Sequence, residues 1–212
     1  MTPLSLNSFT SLTSFRSLAP ILAQSKCWCA VIGLVWIGAI VCAWNVLANH
    51  AYTPTKSPSL ADMSLQIEPA ESFRVVLFAH PFCPCTRATL NELDESIGRW
   101  PRATSVTIVF VSIGLNSSEV AEATLVTFAK QLSGVRVRCD ETGDEARRFG
   151  ATVSGEVFAF DPAGKLAYHG GLTPARGHQG DALGQTQLEK IIRGESRDIC
   201  IAPVYGCHLP EK

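Results

Sequence analysis

Two cysteines separated by a single proline, Cys83-Pro84-Cys85, are the residues of this chain best placed to do chemistry. They stand in Ala79-His-Pro-Phe-Cys-Pro-Cys-Thr-Arg87, where an apolar run gives way to an amphipathic one. Pro84 disfavours helical dihedrals at Cys83 and is itself pre-set for the first position of a helix. Cys83 is therefore the expected N-cap, its sulfur beside unpaired backbone N–H groups at the positive end of the helix dipole. That position favours the thiolate, and Arg87, one turn on, adds positive charge. Cys83 is the expected nucleophile and Cys85 the thiol that completes an exchange. A bond between cysteines two residues apart is strained and readily reduced, which suits a pair that cycles.

Other residues could support this pair. Arg176 and His178 lie in a glycine-rich loop, 170–180, that precedes Asp181. Folded over the helix start, Arg176 would steady a thiolate or bind an anionic group, and His178 would move protons near neutral pH. The alternative is a solvated loop, with Asp181 capping the last helix. His80 could tune Cys83. With Cys83 and Cys85 it also makes two thiols and an imidazole, a set that holds Cu(I). Cys139, Cys200 and Cys207 leave an odd number of cysteines in this part of the chain. Either Cys200 and Cys207 close a small C-terminal loop, or Cys207 reaches back as a resolving thiol for Cys83. Cys139, after a short apolar strand, is expected in the core.

The elements that must position these groups follow from periodicity and punctuation. Arg74–Ala79 reads as a buried strand, and Pro84–Ile97 as a helix with Leu90, Leu93 and Ile97 on one face and Gly98 as its stop. Thr104–Ile113 is a second buried strand. Asn116-Ser-Ser-Glu119 resembles a capping box and opens a helix to about Leu132. A short strand over Val135–Arg138 and a short helix over Glu145–Phe149, stopped by Gly150, come next. Val157–Phe160, the turn Asp161-Pro-Ala-Gly164 and Lys165–His169 form a hairpin. A last helix ends near Arg193. The order β-α-β-α-β-(α)-β-β-α predicts an α/β domain with a mixed sheet, part parallel and part antiparallel.

The 212 residues carry 18 Lys+Arg against 19 Asp+Glu, a balance that excludes a basic nucleic-acid binder. The asymmetry is local, because residues 1–50 hold no acidic group and only Arg16 and Lys26 as basic ones. Cys27–Ala48 is a nearly unbroken apolar run of 22 residues, about 33 Å as a helix and enough to cross a membrane. Trp28 and Trp44 fall near its ends, as interfacial aromatics do. Cys27, Cys29 and Cys42 read as small apolar residues within it. Arg16 and Lys26 precede the run, so residues 1–26 are expected in the cytoplasm and the following domain outside. A cleaved signal peptide is the rival reading, but the apolar run is several residues too long for one. Residues 49–64, with Pro54 and Pro58, read as a flexible linker, and 65–212 as the globular domain.

Phe82-Cys83-Pro84-Cys85 on a strand–helix junction, Phe149-Gly-Ala, and the hairpin Phe158-Ala-Phe-Asp-Pro-Ala-Gly-Lys165 together resemble the thioredoxin-like superfamily over roughly residues 65–200. The segment Gly170-Gly-Leu-Thr-Pro-Ala-Arg-Gly-His-Gln-Gly-Asp181 is similar to one in membrane-anchored RedB-type redoxins. The resemblance implies a thioredoxin-like mixed β-sheet flanked by helices and preceded by one transmembrane helix. It implies a thiol–disulfide oxidoreductase whose catalytic positions are Cys83 and Cys85 and whose partners are thiol- or disulfide-bearing envelope proteins. No dissociable cofactor would be needed, and the domain would face the periplasm from the bacterial cytoplasmic membrane. Thioredoxin-fold copper chaperones supply the alternative, a Cu(I) carrier using Cys83, Cys85 and His80. The chain departs from the superfamily pattern by holding one residue, not two, between its cysteines. It also carries Val153-Ser154-Gly155 where a cis-proline is usual. The peroxiredoxin pattern fails at both cysteines, because His80 or Phe82 stands where Thr or Ser is required.

Overall fold

The computed structural model describes residues 19–56, 65–101, 103–196 and 198–210, with side chains from residue 28 onward. The chain divides into two units between Ala48 and Asn49.

The first unit is helical. Helix α1 spans Ala19–Tyr52, and its stretch Trp28–Tyr52 has mean hydropathy 2.2. These 25 residues extend about 37 Å, so by length and composition the helix can cross a membrane. The expected span of 27–48 is thus part of a longer helix, and residues 1–18 of the expected tail lie outside the described residues. Part of the expected linker, 49–64, is ordered. Asn49–Tyr52 complete α1, and Thr55 is buried, with its N–H donating to the Val204 carbonyl at 2.8 Å. Residues 57–64 lie outside the described residues.

The second unit is built on β1, Arg74–Ala79, whose residues alternate between two cores. Val75, Leu77 and Ala79 face one core, with Leu90 and Leu93 of α2 (Pro84–Ile97). Val76 and Phe78 face the other, with Phe149. This is why the strand reads as a continuous apolar run: a central strand covered on both faces has no polar side to show. β2 (Ser105–Val111) and β3 (Val135–Asp140) extend the sheet parallel to β1. β4 (Glu156–Phe160) pairs antiparallel with the other edge of β1, and β5 (Leu166–Gly170) antiparallel with β4. β6, only Cys200–Ile201, adds a parallel edge, giving the order β3-β2-β1-β4-β5-β6.

Helices α2, α3 (Ser117–Glu122), α4 (Thr124–Gln131) and α6 (Leu183–Ile192) supply the first core, and α5 (Asp144–Phe149) supplies the second. The expected helix 116–132 is broken at Ala123, whose ψ of 131° leaves the helical region. Asn116 is the N-cap there but makes no side-chain capping bond. Asp181 is not the cap of α6, which starts two residues later behind Ala182. Instead the Gly180 N–H is held at 2.7 Å by Glu92, a nearly buried carboxylate of α2 that also accepts from Gln185 at 2.9 Å. Cys139 is exposed, contrary to expectation: it shares the face of Val135 and Val137, which pack against the first core, but lies near the end of the edge strand β3, where that cover stops.

Candidate functional site

The end of β1 and the start of α2 place Cys83 as the sequence requires. Cys83 is the N-cap, extended at φ −79° and ψ 119°, and Pro84 occupies the first turn. Its neighbour Cys85 is half-buried, whereas Cys83 is only 3% exposed. A third sulfur completes the site. Cys207 Sγ lies 3.0 Å from Cys83 Sγ, and the sulfurs of Cys83, Cys85 and Cys207 all fall within 4.8 Å of one another. Cys207 therefore lies within reach of Cys83. Cys200 sits apart in β6, beside Tyr168.

Burial pushes the Cys83 thiol up, but hydrogen bonds to its sulfur from the Cys207 thiol, the Cys207 and Cys85 backbone N–H groups and the Ser154 hydroxyl outweigh it, leaving Cys83 below an ordinary thiol. Cys85 moves the other way, raised by burial and then by the Cys83 charge. Cys207 is pushed up to about 12, first by loss of hydration and then by its hydrogen bond to Cys83. The most acidic of the three thiols thus faces two less acidic ones, which is the division of labour an exchange reaction needs.

Ser154 belongs to the site although its residue type gave little warning. Its hydroxyl lies 2.8 Å from that of Thr86 and accepts the His80 N–H at 2.9 Å. It occupies the stretch where a cis-proline is usual, and no peptide bond among the described residues is cis. Removing the Ser154 hydroxyl takes away one of the groups holding the thiolate. Ser154→Ala is expected to raise the pH midpoint for Cys83 alkylation, and Cys207→Ala to raise it further, because the Cys207 bond has the larger effect. Peptide-resolved alkylation with a small iodoacetyl reagent checks that order.

The supporting residues divide. The Arg87 guanidinium lies over the Phe128 ring, 5.8 Å from the centroid, and the groups that lower the Cys83 thiol are hydrogen-bond donors. His80 is not among the metal-competent group. Its Nδ1 accepts the Phe82 N–H at 3.3 Å, and burial lowers its pKa, so the soft ligand set here is three sulfurs rather than two and an imidazole. Arg176 does reach the site. It donates to the Gly206 carbonyl beside Cys207, to Thr55 Oγ1 at 2.6 Å and to the His50 carbonyl at 3.0 Å, and its charge draws the Cys85 thiol down slightly. His178 turns elsewhere. Its Nδ1 lies 2.8 Å from the Arg176 carbonyl and its ring stacks on Tyr52, so the proton-shuttle role has no geometric support.

An open cleft of 780 Å³ runs from the site between Phe82, Pro84, Arg87, Glu122 and Leu125, with Cys83 on its wall. Phe82 is half-exposed at its lip.

No protein-family model matches the chain, and no curated protein is similar to it in sequence. Solved structures are similar in fold. A hypothetical protein from Sinorhizobium meliloti superposes with a TM-score of 0.57 at 20% identity, over 73% of this chain and 97% of that one. An uncharacterized conserved protein from Geobacillus kaustophilus gives 0.56 at 17% identity, over 75% of this chain and 92% of that one. A secreted disulfide oxidoreductase from Mycobacterium tuberculosis gives 0.43 at 14%, over 59% and 83%. The fold is thioredoxin-like: a mixed sheet with parallel β3-β2-β1, antiparallel β4 and β5, helices on both faces, and the cysteine pair where β1 meets α2.

Proposed function

We propose that this thioredoxin-like protein is a membrane-anchored thiol–disulfide oxidoreductase that exchanges disulfides with envelope proteins. The observation that carries the reading is the placing of Cys83 at a helix N-terminus with two further thiol sulfurs within 4.8 Å. The Cys83 thiolate attacks a partner disulfide and expels one partner sulfur as a thiolate. A second thiol of the cluster then displaces the partner from Cys83. Cys85 is the one that the Cys-Pro-Cys motif singles out. Thiol chemistry of this kind calls for no dissociable cofactor.

The domain faces the periplasm from the bacterial cytoplasmic membrane, with the N-terminus inside. Support comes from α1, which is long and apolar enough to span a membrane, and from Arg16 and Lys26 preceding it. Anchoring raises the effective concentration of the domain toward partners in the same membrane.

Copper carriage is the second reading, favoured by the three soft sulfurs, with Cys207 taking the place proposed for His80. Two titrations of the full chain in detergent separate the readings. Differential alkylation across a glutathione series is expected to show Cys83 passing reversibly between thiol and disulfide. Cysteines unchanged at every potential would remove the enzyme reading, and stoichiometric Cu(I) uptake by the reduced chain under anaerobic conditions would then leave the carrier in its place.

A further inference from the structure

We propose that the disulfide of the oxidised protein is Cys83–Cys207, formed by a thiol arm, Tyr205–Leu209, that Arg176 positions. The proposal rests on the exchange reading above and names the partner that the Cys-Pro-Cys motif does not.

Cys207 Sγ has only about 1 Å to travel from its 3.0 Å separation to a disulfide bond length. A Cys83–Cys85 bond must instead close across Pro84 alone, whose ring fixes φ and removes the torsional freedom that a relaxed disulfide dihedral requires. The arm is held on both sides of its cysteine. Ser154 N–H donates to the Cys207 carbonyl and Leu209 N–H to the Thr152 carbonyl, each at 2.8 Å, with Val153 and His208 bridged between them. Leu209 anchors the far end in the second core. At the near end, the Gly206 carbonyl accepts from Thr55 Oγ1 at 2.8 Å and from Arg176, which also bonds Thr55. Gly206 lies so close to the Ser154 carbonyl that a Cβ there would collide with it. This is extended backbone added along residues 152–154 in the way a sheet accepts a strand, and it delivers a sulfur to Cys83 with its orientational entropy already spent.

The arm also covers what it resolves. Cys83 is 3% exposed with Cys207 against it, so an incoming disulfide must displace the Cys207 sulfur before attack. The Cys83 thiolate then bonds one partner sulfur, and the other leaves as a thiolate that takes a proton from solvent. When the Cys207 side chain swings back, it loses its proton and its sulfur attacks Cys83 Sγ. The Cys83–partner bond breaks, the second partner sulfur leaves as a thiolate, and Cys83–Cys207 forms. Two electrons have passed from the two thiols to the partner disulfide, and a dithiol reductant restores the pair. Cys85 stays a thiol throughout.

The test is disulfide mapping of the full chain in detergent, after oxidation by glutathione disulfide and an acid-quenched alkylation. The expected product is a Cys83–Cys207 linked peptide, retained in Cys85→Ser. In Cys207→Ser that link is lost and the Cys83–glutathione mixed disulfide rises at least tenfold. Arg176→Met is expected to raise the same mixed disulfide severalfold without lowering the unfolding temperature in proportion, and Arg176→Lys to restore most of the pairing. A Cys83–Cys85 link that persists in Cys207→Ser overturns the proposal and leaves the exchange reading standing. Wild-type pairing in Arg176→Met overturns the role of Arg176. A Cys83 that takes neither glutathione nor a protein link in any variant overturns both readings together.

Discussion

Cys83→Ser is expected to lower disulfide exchange at least about a thousandfold while leaving the fold intact. Loss of exchange and retention of the fold have separate causes. A serine hydroxyl at this position stays protonated at any physiological pH, so the hydrogen bonds from Cys207, Cys85 and Ser154 that hold a thiolate there have no anion to hold. Serine is nonetheless among the preferred N-cap residues, and the capping position and Pro84 that follows it survive the change. Reduction of a model protein disulfide measures the first and thermal unfolding the second. Residual exchange within tenfold of the parent would show that another thiol begins the reaction.

The second large effect lies one layer behind the sulfurs. Glu156→Ala is expected to destabilise the protein by about 3 kcal/mol or more. Glu156 is fully buried, and its Oε2 accepts the Thr152 and Val153 N–H groups at 2.9 Å and 3.0 Å. Its Oε1 lies 2.6 Å from Nε2 of His169, itself 1% exposed and stacked on Phe158. Alanine removes all of these acceptors from a site that water does not reach. The loop Thr152–Ser154 is the one that pairs with the Cys207 arm and carries the Ser154 hydroxyl, so exchange should weaken along with stability. Chemical denaturation reads the first effect, and the size of the loss should shrink in Glu156→Gln, which keeps one oxygen. A variant as stable as the parent would show that the carboxylate does not organise that loop.

Much of this arrangement can be read locally. β1 and α2 agree with their expected bounds because a doubly covered strand is apolar throughout and because Pro84 and Gly98 punctuate the helix. Gly150 ends α5 as expected, at φ 69°. Features that depend on distant partners were less legible. β6 has two residues, too few for any period, and owes its place to β5. Cys139 continues the inward-facing row of Val135 and Val137 yet is exposed, since how far the helices cover an edge strand cannot be read from its residues. The tether at Thr55 and the arm at Cys207 are joined by bonds across about 150 residues of sequence, a pairing that spacing cannot encode. An odd cysteine and a glycine immediately before Cys207 were the only local signs. Ser154 had less still, because its importance comes from facing Cys83 across the sheet end.

The most direct test of the central claim is the pH dependence of Cys83 alkylation in the fully reduced, full-length protein, read peptide by peptide beside Cys85 and Cys207. Cys83 should react with a midpoint below the ordinary thiol value of about 8.5, with the other two lagging behind it as pH rises. A Cys83 midpoint at or above that value, or a Cys85 that ionises first, would contradict the account.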